Sequence, residues 1–352
     1  MERALNADHR VGCDKDLAYD NRRAVDELPR PRCTEEPRGT TATGRTRCAD
    51  LGVPSALRTR QICVRVMRVG DRHFADPAFY DLNMLSAATV TLATGLSLSY
   101  AEQGTESGPA VLLLPGPTDS WRSYEPVLDR LPHWIHAIAV SQRGQGDSDK
   151  PDSGYGVEDF AGDVVELLNA LDIDRAVLVG HSGSCLVARR VALDHPERVA
   201  GLVLEASPTS LRTDAARQFV SSVVAVLADP IDPEFARSFV ADTSSEKVAP
   251  GLLDVLVEDI LKVPARVWRE MFSGLLEYDD LGELTRIGAP TLLIWSDDDA
   301  LVSREMQEVL ADRIPHAKLI VYPAEGHTPR WGDPTRFSED LAAFIERLQP
   351  QP

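Results

Sequence analysis

The sequence predicts an α/β fold in which a mostly parallel, doubly wound sheet of eight strands carries a helical cap inserted after the sixth strand. Two features of the pattern support this fold class. Short apolar runs of strand length alternate with amphipathic helical stretches from about residue 88 onward. Between residues 207 and 283 the strand pattern stops, and only helical patterns punctuated by prolines remain. The inner strands are almost wholly apolar, which is typical of a parallel sheet covered on both faces.

The predicted elements follow in chain order. Strands are expected at 88–92, 96–103, 110–114, 135–140, 175–179, 199–204, 291–295 and 317–322. Helices of the core are expected at 157–171, 183–194, 304–313 and 335–348, and helices of the cap at 211–228, 233–241, 250–262 and 264–276. The first two strands alternate apolar residues with Thr and Ser and are separated by Thr94 and Gly95, which predicts a β-hairpin.

Three regions are expected along the chain. Residues 1–87 show no sustained period, few large aliphatic side chains and many Arg, Asp, Pro and Thr residues, which predicts a disordered extension. Met84 would then be the better start of the protein. Residues 88–206 and 284–350 form the predicted core, and residues 207–283 form the predicted cap.

Composition excludes several classes of protein. The chain of 352 residues has a net charge of −18, which argues against a nucleic-acid partner because phosphate binding needs a basic surface. It has neither an apolar leader nor a stretch long enough to span a membrane, so we expect a cytoplasmic protein without a membrane partner. Four of the five cysteines have spacings unlike any zinc site, so no metal is expected. These four are Cys13, Cys33, Cys48 and Cys63. The sequence does not indicate the oligomeric state.

The stretch from Gly180 to Ser184 is the most informative part of the chain. A short apolar strand ends at the sequence Gly-His-Ser-Gly-Ser, and a helical pattern starts without an intervening loop. Small residues at such a corner let the backbone turn sharply and expose one serine hydroxyl, so Ser182 is the candidate nucleophile. His181 precedes it, and we expect its side chain to point away from Ser182.

A serine hydroxyl needs a base and a group that orients the base. His327 lies just beyond the last predicted strand in the sequence Glu-Gly-His and is the candidate general base. Three consecutive aspartates, Asp297 to Asp299, follow the seventh strand, and Glu205 ends the sixth. Each of these carboxylates is a candidate partner for the histidine.

Four segments in order resemble the α/β-hydrolase superfamily over roughly residues 88–350. They are Val111–Trp121, Ser141–Pro151, the corner around Ser182, and Gly326–Pro334. The resemblance implies the chain order Ser, Asp, His for the catalytic triad. It also favours Asp299 over its neighbours, because the family pattern Trp-Gly-Asp-x-Asp places the acid last and Trp295–Asp299 matches it with one substitution.

The same resemblance implies an oxyanion hole, and here the chain departs from the family. One donor should be the backbone N–H of Gly183. The second should come from the residue after a His-Gly pair, where this chain has Pro115, Gly116 and then Pro117. Proline has no N–H to donate. Either Thr118 supplies its N–H or its hydroxyl, which we favour, or the hole is half-empty.

The resemblance further implies a hydrolase that uses no cofactor and acts on a small molecule. We expect cleavage of a small ester, lactone or thioester through an acyl-enzyme. The alternatives are a cofactor-free perhydrolase or haloperoxidase, a carbon–carbon bond hydrolase, and a ligand-sensing protein with vestigial turnover. In the cap, Trp268, Met271 and Phe272 are candidates for the wall of the substrate pocket.

Overall fold

A computed structural model describes residues 85–349 of the chain. Most of the predicted N-terminal extension and the four cysteines within it therefore lie outside the described residues. The first strand begins at Ser86, two residues before the predicted start at residue 88. Within the described residues, no helix has the length and apolar character needed to cross a membrane.

One eight-stranded sheet organises the molecule, with the strand order β1-β2-β4-β3-β5-β6-β7-β8. The pairs β1–β2 and β2–β4 are antiparallel, and the remaining pairs are parallel. The predicted hairpin and the mostly parallel sheet are thereby confirmed. The strands are β1 Ser86–Thr91, β2 Ser97–Gln103, β3 Ala110–Leu114, β4 His136–Val140, β5 Ala176–His181, β6 Val199–Glu205, β7 Thr291–Ser296 and β8 Lys318–Tyr322.

The inner strands are apolar because both of their faces are covered. In β3, Leu112 and Leu114 join the apolar cluster on one side of the sheet. Val111 and Leu113 join the cluster on the other side. All four side chains are fully buried. Complete burial of a Leu or Val side chain contributes about 1.5–3 kcal/mol, so neither face of the strand can become polar without loss of stability.

Ten α-helices accompany the sheet in the described part of the chain. Six of them belong to the core: α1 Glu125–Leu128, α2 Val157–Ala170, α3 Ser184–Asp194, α8 Arg304–Arg313, α9 Pro329–Gly332 and α10 Pro334–Leu348. Four lie between β6 and β7, as predicted: α4 Asp214–Ser222, α5 Pro233–Thr243, α6 Pro250–Ile260 and α7 Ala265–Glu277.

The first cap helix is shorter than predicted. The expected helix over 211–228 is an α-helix only from Asp214 to Ser222. Its start is set by Thr213, whose side chain accepts a hydrogen bond from the backbone of Ala216. The α-helix ends at Val223, and a short 3₁₀ turn follows over Val224–Val226. β-branched residues lose side-chain freedom in a helix, which favours an end at this point.

Three of the cap helices are tied to loops of the core by specific contacts. Asp259 of α6 accepts a hydrogen bond from the Ser120 hydroxyl. Arg266 of α7 donates to the carbonyl oxygens of Lys150 and Pro151 at 2.5 and 2.6 Å. The carbonyl at the end of α5 accepts a bond from Thr328 at 3.3 Å. Helix α4 contains no buried residue, and its inner face borders the cavity described below.

Candidate active site

Ser182 lies at the sharp turn between β5 and α3. Its backbone φ is +52°, in the left-handed region that non-glycine residues rarely adopt. The turn requires small neighbours. A Cβ atom on Gly180 would lie 2.8 Å from the Ser184 carbonyl oxygen, and one on Gly183 would lie 2.8 Å from Pro117 Cγ. The structure therefore has the strained strand-to-helix corner that the sequence predicts, with Ser182 at its apex.

His327 and Asp299 are brought to Ser182 by loops at the ends of β8 and β7. The Ser182 hydroxyl lies 2.9 Å from His327 Nε2. On the other side of the ring, Nδ1 lies 3.0 and 2.9 Å from the two carboxylate oxygens of Asp299. A carboxylate can only accept a hydrogen bond, so Nδ1 carries the proton and Nε2 is left to accept from Ser182. The side chains of His327 and Asp299 are 4% and 0% exposed, so little water competes for these bonds.

The competing carboxylates have other partners. Asp297 accepts from the backbone of Ala324 at 2.9 Å. Asp298 accepts from Ser296 and from the backbone of Gly326 at 2.5 and 2.8 Å. Both aspartates therefore hold the loop that carries His327 rather than the imidazole itself. Glu205 pairs with Arg330, as described below, so Asp299 is the carboxylate that contacts the His327 ring.

A cavity of about 420 Å³ opens above Ser182 and His327. Its lining is mostly apolar and comes from α4, α5 and α7 together with the loops after β3, β6 and β7. Of the three predicted pocket residues, Phe272 lines the cavity. Trp268 and Met271 do not, since their side chains are 0% and 2% exposed within the core of the cap. All three residues belong to one apolar stripe of α7. The helical spacing of apolar residues predicts the stripe, but the packing of the cap helices decides which of the three side chains faces the cavity.

Of the three residues predicted for the oxyanion hole, two line the cavity and one does not. Gly183 and Pro117 line the cavity next to Ser182, whereas Thr118 is completely buried and lies outside the lining. The Thr118 hydroxyl has no hydrogen-bond partner, and its backbone φ is +76°. Among residues 85–349 the structure also shows no acceptor for the N–H of Gly183 or of Thr118. The role of Thr118 as an oxyanion donor therefore stays a prediction.

Side chains distant in sequence hold the loop that carries Pro117. Ser184 donates to the Pro115 carbonyl oxygen at 2.5 Å. Gln142 donates to the same oxygen at 3.1 Å and to the Ser184 hydroxyl at 2.8 Å. Ser184 stands where the family usually has glycine, and Pro115 stands where it has histidine. The Ser184 hydroxyl thus has a structural role, because it holds the backbone of Pro115.

A buried ionic cluster lies beneath this loop. The guanidinium of Arg330 donates to Glu205 at 3.0 Å and to Asp119 at 3.1 Å, and it stacks on Tyr124 and Trp331 with 4.7 Å to each ring centroid. Burial raises the pKa of the Asp119 carboxyl to about 7, although the charge of Arg330 opposes the shift. Asp119 lines the cavity, so a carboxyl group that titrates near neutral pH borders the site.

His181 has a structural role. Its Nε2 lies 3.1 Å from the His327 carbonyl oxygen, so the imidazole donates a hydrogen bond there and helps fix the backbone of the candidate base. Its Nδ1 is buried without a partner. An added Cβ on Gly116 would lie 2.5 Å from that atom, so the histidine also requires glycine in the loop. Burial, followed by the charge of Arg330, holds the pKa of His181 well below its usual value, so the ring is neutral.

Sequence reasoning did not identify the roles of Asp119 and Arg330, and it considered Glu205 only as a partner for histidine. The available signal was a carboxylate that ends β6 and an arginine three residues after His327. Arg143 donates to the Asp163 carboxylate at 2.5 and 2.6 Å and to the Gly154 carbonyl oxygen at 2.6 Å. It does not line the cavity of Ser182.

Known proteins share this fold. The family model that describes the alpha/beta hydrolase fold matches residues 109–334 of the sequence. The chain is 32% identical over 261 residues to a protein of Variovorax paradoxus provisionally named carbamate hydrolase RutD, and the alignment covers 72% of this chain and 97% of that protein. It is 29% identical over 275 residues to a non-heme chloroperoxidase of Streptomyces lividans, covering 73% and 99%.

A solved structure adds a third comparison. Est816, described as an enzyme that degrades N-acyl homoserine lactones, superposes with a TM-score of 0.61 at 28% identity, covering 73% of this chain and 99% of that one. The chain therefore belongs to the α/β-hydrolase fold family, and it is an enzyme of the hydrolase type.

Proposed function

We propose that the protein is a serine hydrolase that cleaves a small ester, lactone or thioester through an acyl-enzyme. The observation that carries this proposal is the chain of contacts from Ser182 Oγ to His327 Nε2 at 2.9 Å and from His327 Nδ1 to Asp299 at 2.9 Å. Ser182 and His327 lie at the floor of a mostly apolar cavity large enough for a small acyl group, and Asp299 lies behind His327.

The geometry supports a definite division of roles. His327 takes the Ser182 proton as the hydroxyl oxygen attacks the substrate carbonyl carbon, and a tetrahedral oxyanion forms. His327 then gives the proton to the leaving group as the acyl-enzyme forms. Asp299 holds the imidazole in the required tautomer and stabilises the imidazolium. Water, activated by the same histidine, attacks the acyl-enzyme and releases the acid with Ser182 regenerated.

Two backbone N–H groups on the Pro117 side of Ser182 stabilise the oxyanion in our proposal. The N–H of Gly183 follows the nucleophile directly and is the first donor we assign. The N–H of Thr118 is the second donor in our proposal, because Pro117 has none. The left-handed backbone of Thr118 turns the chain at this point.

A second activity is favoured by one comparison. The relative from Streptomyces lividans is named a non-heme chloroperoxidase. The same triad can transfer an acyl group to hydrogen peroxide in place of water, which yields a peracid. Perhydrolysis therefore differs from hydrolysis only in the acceptor of the acyl group.

The test is a screen of p-nitrophenyl esters and small lactones with the wild-type protein and with Ser182→Ala prepared in parallel. We expect release of p-nitrophenol by the wild type with neutral acyl groups, and loss of that release in the variant. Adding hydrogen peroxide to the same assay and measuring peracid distinguishes perhydrolysis. A wild-type protein that hydrolyses no ester, lactone or thioester would contradict the proposal.

A further inference from the structure

The charged side chains that line the cavity are all negative. Two carboxylates, Asp119 and Asp242, are among the lining residues. Within the part of the chain that the structure describes, no lysine or arginine lines this cavity. A substrate that carries its own carboxylate would therefore meet no positive partner, and a group with a positive charge would meet negative ones.

Asp119 does not decide this preference, because its charge is already compensated. Arg330 lies 3.1 Å from it, and the carboxyl is buried. Asp242 is different. It is exposed on α5, and its carboxylate forms no hydrogen bond or ion pair within residues 85–349. A substrate charge that enters the cavity is therefore opposed or attracted mainly by Asp242.

The position of Asp242 relative to the reactive groups is fixed. The next residue, Thr243, also lines the cavity, and its carbonyl accepts a hydrogen bond from Thr328 at 3.3 Å. Thr328 follows His327 directly. The end of α5 that carries Asp242 is thus attached to the loop that carries the candidate base, so the carboxylate lies at the border of the cavity that contains Ser182.

Aromatic rings form the neighbouring wall. Phe219, Phe239 and Phe272, from three different cap helices, line the cavity. Phe219 lies 5.5 Å from Phe272 and 6.2 Å from Phe239 between ring centroids. Phe239 precedes Asp242 by three residues on α5, so both side chains lie on the same side of that helix. The faces of aromatic rings attract alkylammonium groups, and this attraction grows when the cation is removed from water.

We propose that Asp242 is a specificity-determining residue that makes this cavity prefer esters with an alkylammonium group over uncharged esters of the same shape, and both over esters with a carboxylate. The proposal rests on the hydrolase function proposed above. The ammonium group would lie between the Asp242 carboxylate and the three phenyl rings while the ester carbonyl reaches Ser182. No additional chemical step is involved, because the charge changes binding and not the reaction.

The test compares two esters that differ in one atom. Butyrylcholine, the butyrate ester of choline, and 3,3-dimethylbutyl butyrate have the same shape, with a quaternary nitrogen in one and a quaternary carbon in the other. We expect the wild type to have the higher kcat/KM for the choline ester. Asp242→Asn should lower the ratio of the two kcat/KM values about three- to fivefold, the size expected for one solvent-exposed charge. A third substrate, the mono-p-nitrophenyl ester of adipic acid, should be slower than p-nitrophenyl hexanoate.

Two further variants separate a local effect from a general one. Glu246→Gln removes the same charge from an exposed residue four positions away that does not line the cavity, and it should leave the ratio unchanged. Asp242→Glu keeps the charge and should keep the wild-type preference. The preference should also decrease with added salt, because the carboxylate is exposed.

The outcomes distinguish this inference from the function on which it rests. If the uncharged ester is hydrolysed by Ser182 but the ratio is one in the wild type, or is the same in Asp242→Asn, the specificity role is wrong and the hydrolase function stands. If Glu246→Gln lowers the ratio as much as Asp242→Asn, the overall charge of the protein causes the preference and Asp242 has no special role. If no ester of either kind is hydrolysed, the proposed hydrolase function itself fails.

Discussion

The His327 side of the cavity and the Pro117 side are held in place by different kinds of contact. On the His327 side, Asp299 and His327 follow the ends of β7 and β8, and hydrogen bonds of 2.9–3.0 Å connect Asp299 to His327 and His327 to Ser182. On the Pro117 side, the loop after β3 is held from below by Ser184, Gln142 and the buried Arg330 cluster. The first arrangement follows from the positions of the strand ends, whereas the second depends on side chains that hold the loop from beneath and that no strand end positions.

This difference has a consequence for catalysis. On one side the candidate nucleophile Ser182 and the candidate base His327 have a geometry that supports proton transfer without rearrangement. On the other side, Thr118 has a backbone in the left-handed region, and the neighbouring Asp119 carboxyl has a pKa raised to about 7. Substitutions on the two sides should therefore differ in size and in pH dependence.

The largest effects are expected on the His327 side. Ser182→Ala and His327→Ala should each lower kcat at least about 10³-fold, and the double variant should be hardly worse, because the triad acts as a unit. Circular dichroism should show that both variants are folded. If Ser182→Ala retained more than a tenth of the wild-type turnover, another residue would have to be the nucleophile.

An intermediate effect is expected at the oxyanion loop. Thr118→Pro removes the N–H that we assign as second donor and also forces φ at this position from +76° to about −65°, so it should lower kcat at least about 10²-fold. Thr118→Val keeps the N–H, removes only the hydroxyl, and should retain most of the turnover. Pro117→Leu should then have little effect.

The opposite pattern would identify a half-empty oxyanion hole. In that case Pro117→Leu, which restores an N–H at the usual family position, should raise kcat about tenfold. A folded Thr118→Pro protein with full turnover would exclude the Thr118 donor. Steady-state kinetics on one p-nitrophenyl ester are sufficient for all three variants.

The smallest effect is a pH-dependent change in stability at Asp119. Its pKa is raised from 3.8 to about 7 in the folded protein, so between about pH 4 and 7 the folded state binds a proton that the unfolded state lacks. The contribution of Asp119 to stability is therefore present at low pH and is lost as pH rises through 7. Asn cannot titrate, so the Tm of Asp119→Asn minus that of the wild type should rise by roughly 5 °C between pH 5 and pH 8.

Thermal unfolding at the two pH values, monitored by far-UV circular dichroism, measures this difference. If the Tm difference stays constant or falls with pH, then Arg330 keeps Asp119 ionised throughout the range. The comparison between the two sides of the cavity would still hold, but the titrating group near pH 7 would have to be sought elsewhere.

Most of the sheet could be predicted from the sequence because each buried strand is a short run of apolar residues that is visible locally. The run predicted at 291–295 is the strand Thr291–Ser296, and that predicted at 110–114 is Ala110–Leu114. Residues at the carboxyl ends of neighbouring parallel strands lie close together, and this is why Ser182, Asp299 and His327 could be chosen from chain order and motif.

The buried cluster could not be predicted in the same way. Arg330 contacts Glu205 across 125 residues and Asp119 across 211 residues, and neither contact leaves a local pattern. The cap shows a related limit. The apolar period of α7 includes Trp268, Met271 and Phe272, but packing against Phe235 and Phe239 draws Trp268 into the cap core. Only Phe272 of the three faces the cavity.

Titration with a fluorophosphonate probe tests most directly whether Ser182 is an activated nucleophile. The probe should react with one equivalent of protein, and loss of ester hydrolysis should follow the fraction labelled. Intact mass spectrometry and peptide mapping should place the adduct on Ser182, and His327→Ala should react far more slowly. A protein that hydrolyses esters without labelling, or that is labelled at another residue, would contradict the role assigned to Ser182. A folded protein that neither labels nor hydrolyses would instead favour a ligand-sensing protein with vestigial turnover.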